Sequence, residues 1–148
     1  MKFESNVNVR ITRRFSASPE QVFDAWLNPV MIGKWMFGPA YPEREEEVVR
    51  ISLVPRVGGS FSFVVRRQGQ EIDHVGEYLE IDRPRRLVFT WGVANVGDSS
   101  RVIIDIVPLE NGCELTLTHE LHPNWVDFAS RTEAGWTKML DVLEATLS

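Results

Sequence analysis

The stretch from Asn124 to Leu147 constrains the fold most, because read as a helix at ~100° per residue it has two distinct faces along its whole length. Trp125, Phe128, Ala129, Thr132, Gly135, Trp136, Met139, Leu140, Leu143, Thr146 and Leu147 fall on one side. Asp127, Arg131, Glu133, Lys138, Asp141 and Glu144 fall on the other. Asn124 is placed to cap the start, and no proline interrupts the run. At ~1.5 Å per residue the helix is about 34 Å long, roughly the width of a small domain. An apolar stripe of that length needs a partner surface, and the preceding sequence supplies mostly strands. The expected architecture is α+β: a long C-terminal helix held in the curve of an antiparallel sheet.

Gly135 marks the stripe, since a glycine inside a helix costs about 1 kcal/mol relative to alanine. Either the helix touches the sheet closely there, or a gap is left between helix and sheet that holds a small molecule.

A chain of 148 residues, 43% hydrophobic and 25% charged, fits a single domain spanning 1–148 with one core. A net charge of -5 argues against nucleic acid or an anionic membrane surface as the main partner, since both favour a basic face. Cys113 is the one cysteine, so neither an internal disulfide nor a cysteine zinc cluster is available. The N-terminal residues lack the apolar core of a signal peptide, and no apolar run reaches ~18 residues, so membrane insertion is not expected and the chain reads as cytoplasmic.

Val7, Val9, Ile11, Arg13 and Phe15 alternate with polar residues, the period of a half-buried strand. Arg13 in that inward row either reaches the solvated strand end or makes a polar contact inside. Ser18-Pro19-Glu20-Gln21 is a capping box with proline at the first helical position, predicting a short helix that buries Val22, Phe23, Trp26 and Leu27. Asn28-Pro29 repeats the signal for a second short helix ending near Trp35, before Gly38-Pro39. Six strands follow, over 48–54, 60–67, 71–81, 86–93, 101–107 and 113–121, separated by turn sequences such as Gly58-Gly59, Gln68-Gly69, Asn95-Val96-Gly97-Asp98 and Asn111-Gly112. Short connections predict an antiparallel meander. Parity turns Phe61, Phe63 and Val65; Leu87, Phe89 and Trp91; Val102, Ile104 and Ile106; and Leu115 and Leu117 toward the helix. Over 71–81 two inward rows compete, one with Ile72, His74, Gly76 and Tyr78 and one with Val75, Leu79 and Ile81, and a bulge near Gly76 would reconcile them.

Several phrases in this order carry a resemblance: Pro19-Glu20-Gln21-Val22-Phe23-Asp24-Ala25-Trp26, Val57-Gly58-Gly59-Ser60-Phe61, Gly76-Glu77-Tyr78, Leu87-Val88-Phe89-Thr90-Trp91, Leu115-Thr116-Leu117-Thr118-His119-Glu120 and Gly135-Trp136. Together they resemble the activator-of-heat-shock-protein-ninety-ATPase-like branch of the START-like (SRPBCC) superfamily, across nearly the entire chain. The resemblance implies a helix-grip domain, often with an internal apolar cavity. It implies little about chemistry, because lipid carriers, hormone receptors, polyketide cyclases and co-chaperones share the scaffold. Co-chaperone relatives carry a further N-terminal domain for which a chain of this length is expected to have no room. Pro55 stands where many relatives have a different, often acidic, residue.

No nucleophile elbow, phosphate loop or cofactor fingerprint appears, and no cofactor is expected. His119 and His122 are three apart, so on a strand they point to opposite faces and do not make a metal pair. His119 shares parity with Leu115 and Leu117, and is either a hydrogen-bonded core histidine or a ligand contact. His74, Glu77, Tyr78, Arg13 and His119 would make an acid-base site only by converging in three dimensions. The chain is rich in large inward aromatics, which fill a core or line a pocket. The candidate lining is Trp35, Phe37, Phe61, Phe63, His74, Tyr78, Phe89, Trp91, His119, Gly135, Trp136 and Met139, with the loop Met36 to Pro42 as a candidate mouth. The expected function is binding of an apolar or aromatic small molecule, by a monomer or homodimer. The alternatives are a cyclase- or hydrolase-like enzyme and a co-chaperone with a chaperone partner.

Overall fold

The computed structural model of the chain describes residues 8–97 and 99–148. Val7 at the start of the first strand and Asp98 in the expected turn lie outside the described residues. Strand β1 (Asn8–Phe15) leads into helix α1 (Pro19–Asp24), whose start is the expected capping box: Ser18 Oγ accepts from the Gln21 N–H at 3.2 Å, and Gln21 Oε1 accepts from the Ser18 N–H at 3.0 Å. Helix α2 (Pro29–Trp35) starts on Asn28, whose Oδ1 takes the N–H groups of Val30 and Met31 at 2.9 and 3.2 Å. These caps satisfy donors that the first turn of each helix leaves free.

The meander is β2 (Glu46–Leu53), β3 (Ser60–Arg67), β4 (Gln70–Asp82), β5 (Arg86–Val93), β6 (Ser100–Leu109) and β7 (Gly112–Glu120). Among the described residues the strands form one antiparallel, curved, open sheet of seven strands in the order β1-β7-β6-β5-β4-β3-β2. The first strand thus pairs with the last, Ile11 opposite Leu117 and Phe15 opposite Cys113. The inward rows meet Trp136, Leu140 and Leu143 of α3 (Ala129–Leu147), and these residues belong to one continuous core. Arg13 makes no contact inside an apolar interior: partly exposed, it reaches the solvated side of the helix, where it donates to Glu144 Oε1 at 2.8 Å and also to Asp141, both exposed, fastening β1 to the C-terminal half of α3.

Two local expectations are corrected. The helix does not begin at Asn124. Pro123–Phe128 form a 3-10 turn capped by His122, whose Nδ1 accepts from the Asn124 N–H at 3.1 Å, and α3 starts only at Ala129. The tighter winding turns Phe128 away from the core, leaving it 36% exposed. In β4 the inner row is Ile72, His74, Gly76 and Tyr78 as far as a bulge, but the bulge lies between Tyr78 and Glu80, after which Ile81 opposes Leu87. Gly76 serves packing instead. A Cβ there would sit 2.0 Å from the Thr90 carbonyl oxygen and 2.4 Å from Phe61 Cζ, so glycine is what lets the Phe61 ring lie flat on β4.

The connection after α2 is packed, with Met36, Phe37, Gly38 and Tyr41 all buried. Glu46 anchors it. Its side chain is fully buried, accepting from the Gly38 N–H at 2.9 Å and from Arg67 Nε at 3.0 Å and Nη2 at 2.5 Å.

Candidate functional site

The gripped helix and the sheet diverge at one end of the molecule and leave a pocket of about 210 Å³ there. Trp91, Gly92 and Val93 at the end of β5, Val96 and Gly97 in the following turn, and Ser100 of β6 form one wall. His119 and Leu121, at the close of β7, form the floor. The 3-10 turn contributes Trp125 and Phe128, whose ring centroids lie 5.3 Å apart, and α3 contributes Thr132. The lining is chiefly apolar and aromatic with a few convergent polar groups, the usual make-up of a small-molecule site.

The polar groups are ordered by a chain of hydrogen bonds whose direction is fixed. Trp136 Nε1 lies 2.9 Å from His119 Nδ1. An indole N–H is only a donor, so Nδ1 is the unprotonated nitrogen and the neutral ring carries its proton on Nε2. That Nε2–H points at Ser100 Oγ, 2.5 Å away, and the Ser100 hydroxyl in turn donates to the Trp91 carbonyl at 3.2 Å. Burial pushes the His119 imidazole down to about 4, so the ring is neutral near pH 7. With Nε2 already a donor to Ser100, His119 is not disposed to take the serine proton. The pair is a structural relay, not a nucleophile and its base.

Trp91 divides this pocket from the aromatic core behind it. Its ring lies 5.7 Å from Trp136 on one side and 5.5 Å from His74, roughly parallel to it, on the other. Beyond it Phe61, Phe63, Tyr78 and Phe89 pack against one another and against Trp26 and Met36, around a space of only about 10 Å³. Of the residues expected to line a cavity, Trp91 and His119 line the pocket, while Trp136 holds His119 from behind. Phe61, Phe63, Tyr78 and Phe89 enclose the small interstice. Trp35 is fully buried, with Nε1–H donating to the Ala25 carbonyl at 3.0 Å. Phe37 lies 4.9 Å from the His74 ring, and His74 Nδ1–H donates to the Phe63 carbonyl at 3.1 Å. Burial holds that imidazole below its usual value. His74 borders a separate depression with Arg67, Gln70, Glu71 and Asp73, whose walls also include Ile72, Val93 and Ala94 and are polar and apolar in equal measure. Met139 is partly buried against the core, and a Cβ on Gly135 would meet nothing within 4 Å, so α3 does not press on the sheet there.

His74, Tyr78, Glu77, Arg13 and His119 therefore do not converge. Residues that sequence reasoning left out of the site are Gly92, Val93, Val96, Gly97, Ser100, Leu121, Trp125, Phe128 and Thr132. The aromatic stripe named Trp125, Phe128 and Thr132, but only as core. Trp26 was also assigned to helix packing alone. It is a hub of the aromatic cluster, 4.7 Å from Trp35 and 5.9 Å from Trp136, and its Nε1 is the one buried side-chain polar atom without a partner among the described residues.

Sheet, gripped helix and end pocket together define a START-like helix-grip domain of the α+β class. The family model for activator of Hsp90 ATPase homolog 1-like protein matches residues 16–148, and the chain belongs to that family. Protein CV1439 from Chromobacterium violaceum is 25% identical, with a TM-score of 0.80 over 95% of this chain and 96% of its own. A Rhodobacter sphaeroides protein is 23% identical, with a TM-score of 0.81 over 95% and 91%. CalU16 from Micromonospora echinospora is 23% identical, with a TM-score of 0.71 over 95% of this chain and 76% of its own. No curated protein matches the chain. Among the described residues no helix is long and apolar enough to cross a membrane.

Proposed function

We propose that the protein binds a small apolar or aromatic molecule in the pocket between the β5–β6 turn and the start of α3. Family and fold support a ligand-binding or co-chaperone-like role. The observation that favours the first is the pocket itself: about 210 Å³ walled by Trp91, Trp125, Phe128 and Leu121, over a floor histidine whose hydrogen bonds are already committed. Such a site offers apolar burial, at about 25 cal/mol per Å², without an obvious reactive group. Binding with release of the ligand unchanged is the behaviour this predicts. The test is extraction of purified protein followed by mass spectrometry, together with titration by an environment-sensitive apolar dye. Dye binding that is lost in Thr132→Phe, a variant that fills the pocket from the helix side, supports the reading. A wild type that yields no ligand and gives no dye response refutes it.

A second reading, activation of a heat-shock ATPase, is favoured by the description of the matching family. Stoichiometric capture of a ninety-kilodalton chaperone with faster ATP hydrolysis would establish it.

A further inference from the structure

The charge around the pocket narrows the ligand class. Arg131 stands in the first turn of α3, with its guanidinium carbon 5.1 Å from the ring centroid of Phe128, a pocket wall residue. Among the described residues nine of the thirteen arginines are matched: Arg13, Arg14, Arg44, Arg66, Arg67, Arg83, Arg85, Arg86 and Arg101 each hold a carboxylate. Arg131 makes no hydrogen bond or ion pair with the described residues, and its exposed neighbours in sequence, Asp127 and Glu133, do not reach it. No carboxylate lies in the pocket lining among the described residues, and the neutral His119 adds no charge there. The Thr132 hydroxyl, one residue from Arg131, lines the pocket and has no partner among the described residues. Among the described residues, the edge of the pocket beside Phe128 therefore carries an unpaired cation, Arg131, and a spare donor, Thr132, above an aromatic-walled interior. A volume near 210 Å³ falls below the range of roughly 300–1,000 Å³ common for drug-sized ligands, and so suits one ring or two fused rings.

We propose that the pocket selects small aromatic carboxylates, with the ring against Trp91 and Trp125 and the carboxylate at the mouth against Arg131 and Thr132. The proposal rests on the binding function above and adds the charge of the ligand to it. A guanidinium fork is suited to a carboxylate, and an exposed pair of this kind is worth a modest factor that salt reduces.

The probes are 2-naphthoate and its neutral isostere 2-naphthamide, titrated by tryptophan fluorescence into wild type, Arg131→Gln and Arg131→Lys. Arg131 is exposed and the variants leave the core intact. The expected result is naphthoate bound roughly threefold to tenfold more tightly than naphthamide at low salt. That preference should vanish in Arg131→Gln and survive in part in Arg131→Lys. Equal affinities in wild type, or a preference unchanged by Arg131→Gln, would overturn the selectivity while leaving the binding function standing. Failure of both probes to bind would overturn both.

Discussion

The relay through His119 makes stability depend on pH in a way that can be worked out in advance. In the folded chain the imidazole titrates at about 4, because protonating it means charging a buried ring that already accepts from Trp136 and donates to Ser100. In the unfolded chain it titrates near the ordinary value of about 6.5. The folded value is depressed, so below pH 6.5 the unfolded state takes up a proton that the folded state refuses. Stability from this group is full above about pH 7 and is lost as the pH falls from 6.5 toward 4. The whole difference is roughly 3 kcal/mol, and roughly 2–3 kcal/mol of it should be gone by pH 4.5. For a domain of this size that corresponds to a fall in Tm of about 4–12 °C.

His74 contributes in the same direction, since burial depresses it too, and carboxylates begin to titrate at the lower end of the range. The comparison that isolates His119 is therefore against His119→Gln, in which the amide oxygen can accept from Trp136 and the amide nitrogen can donate to Ser100 without any titration. Melting both proteins at intervals from pH 7.5 to 4.5, by circular dichroism, should show the variant losing less than the wild type by roughly 2–3 kcal/mol. The Trp136 indole N–H resonance should move in the wild type as His119 becomes charged. Parallel losses in the two proteins, or a Trp136 resonance indifferent to pH down to 4, would refute the hydrogen-bond directions assigned above.

Other consequences are more local. Gly135→Ala removes a mid-helix glycine where a Cβ meets nothing within 4 Å, and should raise stability by about 1 kcal/mol in urea unfolding; an unchanged or lower midpoint would show a contact at that face. Gly76→Ala forces a Cβ to within 2.0 Å of the Thr90 oxygen and should cost on the order of 3 kcal/mol, so a variant with wild-type Tm would show that β4 yields there. Glu46→Gln weakens the fully buried contact to Arg67, whose own side chain is 34% exposed and can be hydrated, and should destabilise by about 1–3 kcal/mol, with wild-type stability as the refuting result.

What the sequence revealed was whatever local chemistry decides. The capping box at Ser18 and the Asn28 cap set the two short helices, and glycine-containing turns set most strand ends to within a residue or two. Parity turned His119 inward correctly, because alternation depends only on the pleat. Its partners were not legible: Ser100 and Trp136 lie 19 and 17 residues away, and only the β6–β7 pairing and the docking of α3 bring them to the two ring nitrogens. The pocket was missed for the same reason. Its far wall is a 3-10 turn that the helical period reads as a continuation of α3, and its near wall is a turn whose placement follows from strand lengths. Gly76 shows the converse. A glycine inside a strand announces something unusual, but whether it serves a bulge or an overlying ring depends on which residue stands opposite, here Phe61.

The pairing of β1 with β7 also bears on how the chain is made. Thr12 and Thr116, which meet across that pair, are 104 residues apart. At about 5–20 residues per second the first strand waits roughly 5–20 s after its own synthesis before its one sheet neighbour exists. During that interval Val9, Ile11 and Phe15 have no strand beside them, and the Arg13 clamp has no helix to grip. The three-dimensional seam is closed last, by the two ends of the described chain together. Destabilising β7 or α3 should therefore release β1 with them, and a nascent chain halted before residue 112 should expose its first strand to protease and to chaperones while the strands of the meander already made are able to pair.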